Sequence, residues 1–165
     1  DRVGGAMKDQ ASQVLAADLV LRSAGPISPG YLSEARALGL EFAETLAFPT
    51  VVVSGEQTTL AAIDAVSATY PLRGQLTVAD TLFGNGRPAT GVPAPGEAWA
   101  EPGLLGRLGL EVGASVSVGE RALRITRVLQ YKPGILLKPE VAEELLDRTS
   151  VAIGQAYAEA KAAPR

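Results

Sequence analysis

The chain has 165 residues, of which 47% are hydrophobic and 20% charged, a composition that excludes an intrinsically disordered segment. It contains neither Cys nor His, which excludes Ser-His-Asp and Cys-His catalysis, thiol redox chemistry and His/Cys zinc sites. Its formal net charge of −3 provides no electrostatic basis for binding nucleic acid or an anionic membrane surface.

The N-terminal half predicts helices and strands in alternation. Residues 8–17 are good helix formers and lead into a strand at 18–22, where the sequence DLVLR alternates. Ser28 as N-cap, followed by proline, predicts a helix over 29–38 that ends at Gly39. The apolar stripe that this helix is expected to bury consists of Tyr31, Leu32, Ala35 and Leu38.

Two antiparallel strands are predicted next. The segments 41–54 and 58–67 are rich in β-branched residues and are separated by a turn at Gly55-Glu56. Pro49 interrupts the first strand, which places it at a sheet edge or at a bulge.

The C-terminal half begins with a change in composition. The Gly/Pro-rich run 82–96 predicts a long surface loop or linker. A strand at 98–100, a helix over 101–108 and a hairpin with its turn at Gly119-Glu120 follow. The inward positions of the hairpin are Val116, Val118, Leu123, Ile125 and Val128. A last helix is predicted over 140–161, opened by a proline.

Few residues outside these elements suggest chemistry. The run 84–86 (GNG) favours a turn over a phosphate-binding loop, because no Lys-Ser/Thr follows it. Trp99 is the single tryptophan and is expected to be buried rather than to stack on a ligand. A group of acids is interpreted as a solvated helix face, with a hard-cation site as the alternative: Glu140, Glu143, Glu144 and Asp147.

Two further sets of charged residues have open interpretations. The basic set is expected to line a solvated strand face, with a partner contact as the alternative: Arg121, Arg124 and Arg127. The carboxylates of a weakly supported hydrolase would be Asp64, Asp80, Glu97 and Glu101. Nothing in the sequence holds two of these at a useful separation.

Three stretches, taken in order, carry a more specific signal. They are LAADLVLRSAGPI at 15–27, AVSATYPLRGQLTVAD at 65–80 and GEAWAEPGLLGRLGLEVGASVSVGERALRITRVL at 96–129. Together they resemble the first large periplasmic domain of YbbP-like permeases, which belong to the FtsX/MacB class of ABC transporters. The most telling parts are YPLRG at 70–74 and the pattern W-x-E-P-x-L-L-x-x-L-G-L-x-V-G at 99–113.

The resemblance implies an α+β fold with a porter-like subdomain of mixed strands and helices and a smaller, mostly β subdomain. The expected division is a stalk helix and porter-like subdomain at 1–81, a linker at 82–95, the β-rich subdomain at 96–132, and a C-terminal helix at 133–165 as a return stalk. Between Leu129 and Pro139 this chain is shorter than the family pattern, which continues there through a further strand and helix.

The resemblance also implies a function. Such a domain lies on the periplasmic side of the bacterial inner membrane and is not an enzyme, because a separate cytoplasmic ABC ATPase hydrolyses the ATP. Family members act on substrates outside the inner membrane, and YbbP-like members are linked with the handling of lipids or hydrophobic compounds and with a periplasmic esterase. No catalytic residue, cofactor, metal or nucleic-acid partner is expected in this domain. The candidate coupling or contact residues are Tyr70, Pro71, Leu72, Arg73, Gly74 and Trp99.

One alternative function stays open. A stand-alone soluble domain could bind an apolar ligand between the two subdomains, near Trp99 and residues 70–74. The polar stretch at 1–10 shows no signal peptide, which is expected of an excised loop between membrane helices and equally of a cytosolic protein with a trimmed start.

Overall fold

The computed structural model describes residues 15–133 and 149–154 of the chain. These ranges contain two helices, α1 (Pro29–Ala37) and α2 (Pro102–Leu108). Their strands are β1 (Thr45–Ser54), β2 (Gln57–Val66), β3 (Thr77–Ala79), β4 (Arg87–Pro88), β5 (Glu97–Ala100), β6 (Ser115–Val118), β7 (Arg121–Tyr131) and β8 (Thr149–Gly154). The predicted α+β fold class is confirmed.

All eight described strands belong to one sheet, in the order β4-β3-β7-β5-β8-β2-β1-β6. Because β6 pairs with β7 as well as with β1, six of these strands form a closed circuit. Closing a sheet reduces its exposed edges, and here the closure is partial, because β6 reaches β1 at only two positions. Strands β3 and β4 extend the sheet outside the circuit.

Strands from both sides of the segment 82–95 take part in this sheet. Strand β3, before the segment, pairs with β7, and β2 is joined to β5 through β8. The expected division into 1–81 and 96–132 therefore does not correspond to two separate sheets among the described residues. Its boundaries stay a prediction.

The side chains of β5 separate two apolar clusters. Ala98 and Ala100 face a larger cluster together with Ile63, Ile125 and the leucines of α2. Trp99 points to the opposite side, as the alternation of a strand requires, and packs with Leu76, Val78 and Leu129. The predicted burial of Trp99 is confirmed, since the residue is 4% exposed. Small residues on one face of β5 leave room for α2, and a large one on the other face fills the second cluster.

Both predicted hairpins are confirmed. Strands β1 and β2 pair along their whole length around Gly55-Glu56, and β6 and β7 pair around Gly119-Glu120. Pro49 is paired only on its β2 side, because β6 reaches β1 only at Val52 and Val53. The predicted edge position of Pro49 is therefore confirmed, and its missing N–H removes one donor from that open edge.

Predictions for the N-terminal segment are partly wrong. The predicted strand at 18–22 is absent, because this exposed segment has no neighbouring strand with which to form a ladder. Helix α1 has the predicted N-cap, with the Ser28 hydroxyl accepting from the Gly30 N–H at 3.4 Å. Its predicted apolar stripe is not buried: Leu32 and Ala35 are partly covered, and Tyr31 is exposed.

The predicted C-terminal helix is wrong at 149–154, where the chain forms β8 between β2 and β5. In this stretch β-branched residues alternate, a pattern that favours a strand once two neighbours can pair with it. The rest of the predicted helix, with its acidic group Glu140, Glu143, Glu144 and Asp147, lies outside the described residues. Neither described helix has the length and hydropathy that crossing a bilayer requires.

Helix α2 allows a matched test of its C-terminal cap. Gly109 ends the helix with a φ of 59°, whereas Gly106 lies within the helix with nothing within 4 Å of an added Cβ. We expect Gly109→Ala to lower the free energy of unfolding by about 1–2 kcal/mol, because the left-handed conformation disfavours a Cβ. Gly106→Ala should raise it by about 0.5–1 kcal/mol. Urea denaturation measures the free energy of unfolding of both variants. If the two substitutions changed it in the same direction, the assignment of Gly109 as the cap would be contradicted.

Candidate functional site

Residues 70–74, YPLRG, lie in the connection between β2 and β3, and backbone contacts hold the start of this connection in place. The Ser67 N–H donates to the Glu44 carbonyl at 2.9 Å, and the Glu44 N–H donates to the Ser67 hydroxyl at 3.0 Å. The Thr69 hydroxyl donates to the Phe42 carbonyl at 2.8 Å. The connection is therefore attached to the residues that lead into β1 before it reaches Tyr70.

Tyr70 points into the protein. Its ring packs against the cluster that contains Trp99, so the structure brings these two candidate residues together. Its hydroxyl donates to the carbonyl of Pro133, two residues beyond the end of β7. Burial raises the pKa of Tyr70 to about 12, with further contributions from the charges of Asp64 and Tyr131. The phenol consequently stays protonated and remains a hydrogen-bond donor at neutral pH.

A buried ion pair lies close to Tyr70. Lys132 contacts Asp64 of β2, and the two side chains are only 13% and 8% exposed. Glu101, at the N-cap of α2, places its carboxylate 3.8 Å from the same ammonium group. The pair joins the end of β7 to β2 across the sheet, and removing either partner would leave a buried charge uncompensated.

Arg73 points in the opposite direction, towards the N-terminal segment. Its guanidinium makes two contacts with the Asp18 carboxylate, at 2.7 and 3.2 Å. Its backbone N–H donates to the Ala16 carbonyl at 2.9 Å. Residues 16–18 are therefore attached to the β2–β3 connection by a two-contact ion pair and by a main-chain hydrogen bond.

Pro71 and Leu72 line an open cleft of about 410 Å³ on the protein surface. The other lining residues are Leu40, Glu41, Phe42, Ser67 and Thr69. The Arg36 guanidinium lies 4.9 Å from the centre of the Phe42 ring, a cation–π distance. Trp99 does not line this cleft, so the two parts of the proposed apolar-ligand site face different sides of the 70–74 segment.

The carboxylates considered for hydrolysis are distributed over several places. Asp64 and Glu101 approach the same ammonium group of Lys132. The ammonium group balances their negative charge, so they do not form an acid–base pair of carboxylates. Asp80 binds two arginines, and Glu97 accepts a hydrogen bond from Thr126 at 3.2 Å. Within the described ranges, no group of three or more acidic side chains is arranged to hold a metal ion.

Sequence reasoning did not identify Lys132 or Asp18 as part of this arrangement. The sequence did contain a signal for a partner such as Lys132. Asp64 is a charged residue inside the apolar run LAAIDAV, and a buried charge requires a partner. No local pattern indicates Asp18, whose partner lies 55 residues away in the chain.

The chain was compared with known proteins. No family model matches it. It is 29% identical over 133 residues to the "Uncharacterized ABC transporter permease YbbP" of Escherichia coli strain K12. The chain resembles an ABC transporter permease. This confirms the predicted resemblance to YbbP-like permeases.

The extent of the match limits what it says. It includes 81% of this chain but only 16% of the permease, so the activity, substrates and partners of a whole permease are matters of proposal for this chain. A weaker similarity is to the periplasmic region of MacB from Actinobacillus actinomycetemcomitans, with a TM-score of 0.46 and 12% identity over 74% of this chain and 54% of that one.

The buried ion pair leads to a stability prediction. Lys132→Met leaves the Asp64 carboxylate buried without its cation, so we expect the free energy of unfolding to fall by about 3–5 kcal/mol. Adding Asp64→Leu should restore most of the loss, because apolar pairs commonly replace buried ion pairs without penalty. Urea denaturation of the wild type, both single variants and the double variant measures this, and a double variant no more stable than Lys132→Met would contradict it.

The raised pKa of Tyr70 leads to a prediction about alkaline pH. The ordinary pKa of tyrosine is 10.0 and that of folded Tyr70 is about 12, so its contribution to stability is complete below pH 10 and is lost as the pH rises towards 12. Absorbance at about 295 nm should show a tyrosine ionising near pH 12 that Tyr70→Phe removes. If the variant has the same titration curve as the wild type, the buried hydrogen-bonded phenol is excluded.

Proposed function

We propose that this chain is the extracytoplasmic domain of an ABC transporter permease subunit, on the periplasmic side of the bacterial inner membrane. In this role it is a non-enzymatic transport component, and a separate cytoplasmic ABC ATPase hydrolyses the ATP. The observation that carries the proposal is the 29% identity to a permease, together with the two-sided contacts of residues 70–74.

The segment 70–74 is the proposed coupling element. Arg73 contacts Asp18 in the segment that precedes α1, and Tyr70 contacts Pro133, two residues beyond the end of β7. A displacement of either place therefore acts on the same short segment. Because Tyr70 also packs beside Trp99, the displacement would reach the second apolar cluster and β3, which carries Val78 of that cluster.

We also propose a substrate class and a protein partner for this domain. A lipid-like or hydrophobic compound is the proposed substrate class, and a periplasmic esterase is a proposed partner. The net charge of −3 does not favour binding to a nucleic acid or to an anionic surface.

A second candidate function is favoured by the cleft beside Pro71. A domain acting by itself would bind an apolar ligand between Leu72 and Phe42 in the 410 Å³ cleft, which lies within the size range of small-molecule sites. The coding sequence of the parent protein distinguishes the two functions. A hydrophobic segment of about 20 residues on each side of 1–165 supports the permease domain, and its absence from both sides supports the separate binding domain.

The coupling role is tested with Arg73→Ala in the complete permease–ATPase complex. Because Arg73 and Asp18 are largely exposed, their pairing contributes only about 0–1 kcal/mol to stability, and the melting temperature should stay nearly unchanged. We expect amide hydrogen exchange at 70–79 to differ between the nucleotide-free and vanadate-trapped states of the wild type. Arg73→Ala should lose at least half of that difference.

Matched variants accompany this measurement. Arg22→Ala removes another exposed arginine of the N-terminal segment and should keep the wild-type difference. The charge exchange Asp18→Arg with Arg73→Asp should restore part of it. A wild-type complex with no nucleotide-dependent difference would contradict the permease role, whereas a full difference in Arg73→Ala would contradict only the coupling element.

A further inference from the structure

The loop 80–86, between β3 and β4, presents an aromatic side chain to solvent. Phe83 is 94% exposed, whereas the preceding Leu82 is partly buried against the larger apolar cluster. The chain has only 3 Phe, 4 Tyr and 1 Trp, so placing one of them outside the fold leaves a large apolar surface unused. None of the described residues buries that ring, and burying it in a partner would remove its apolar surface from water.

The loop that carries Phe83 is held rigidly. The Gly84 N–H donates to the Thr81 carbonyl at 3.0 Å, and the Gln130 side-chain amide donates to the Gly84 carbonyl at 2.9 Å. An added Cβ at Gly86 would overlap the side chain of Gln130 and lie 2.8 Å from Thr77, so this part of the loop packs directly on its neighbours. An anchor held in this way loses little conformational entropy when it binds.

Charged residues surround the base of the loop. The Asp80 carboxylate accepts from Arg87 at 2.9 Å and from Arg127 at 3.0 Å. Two guanidinium groups thus share one carboxylate, which leaves a local excess of positive charge at the base of the loop that carries Phe83. Both arginines remain partly exposed and can make further contacts with carboxylates.

We propose that Phe83, Arg87 and Arg127 form a docking surface for a folded protein that presents an apolar pocket for one aromatic ring, bordered by carboxylates. A single ring on a rigid loop matches a pocket better than it matches a bilayer, where several apolar residues share the insertion. Aromatic and arginine side chains also dominate the energetic centres of protein interfaces. The proposal goes beyond the coupling role, because docking can fail while the contacts of residues 70–74 are retained.

The first experiment is site-specific photo-crosslinking in the parent cell, with a benzophenone amino acid at position 83 of the complete protein. The matched control carries the same amino acid in place of Leu19, which is 86% exposed. We expect a discrete protein adduct at position 83 that is absent at position 19. No protein adduct, an adduct with lipid alone, an adduct with a second copy of this chain or the same adduct at both positions would overturn the proposal.

The second experiment uses the purified protein identified in that adduct. Calorimetry should show at least about tenfold weaker binding for Phe83→Ala, with its melting temperature unchanged because the ring supports nothing in the fold. Arg87→Gln should weaken binding at low salt, and this effect should largely disappear at about 0.5 M salt because the charges are screened. Binding of Phe83→Ala as tight as the wild type, or an Arg87→Gln effect that is absent at low salt, would overturn the proposal.

Discussion

The architecture depends on strand β7, which pairs with three other strands. Its 11 residues are matched by β6 near the start, by β5 in the middle and by β3 near the end. These pairings satisfy backbone N–H and C=O groups of β7, which would carry a large free-energy penalty where they are buried without a partner. Segments on both sides of the Gly/Pro-rich run must therefore meet in one sheet, and the closed circuit follows from that requirement.

The alternation of side chains on β5 then organises the interior. Ala98 and Ala100 leave space for the leucines of α2, and Trp99 on the other face fills a second, smaller cluster. Tyr70 covers this second cluster, and its hydroxyl reaches Pro133 beside the Lys132–Asp64 ion pair. The β2–β3 connection is therefore more than a surface loop, because it joins the second cluster to a buried charge pair.

The proposed coupling role follows from where these contacts lie along the chain. Residues 70–74 contact both residues 16–18 and Pro133, so one short segment joins two parts of the chain that are far apart in sequence. The docking surface around Phe83 differs from this segment, because its ring is exposed to solvent instead of packing inside the protein. Hydrogen bonds hold the loop that carries the ring. In a permease, the first arrangement would receive movement from the membrane and the second would present the domain to a protein partner.

The sequence by itself determined the elements that depend on local chemistry. Ser28 followed by proline begins α1, Gly109 ends α2, and two Gly-Glu pairs form the hairpin turns, because caps and tight turns are decided within a few residues. The motif YPLRG and the single tryptophan also pointed to Tyr70 and Trp99, which belong to one apolar cluster. The separate contacts of Arg73 and Leu72 could not be foreseen. Only the tertiary structure decided that residues 18–22 form no strand, that α1 buries no stripe, and that 149–154 pair between β2 and β5. An alternating or helical pattern states a preference, and a strand or a buried face exists only where distant residues supply the hydrogen bonds and the apolar neighbours.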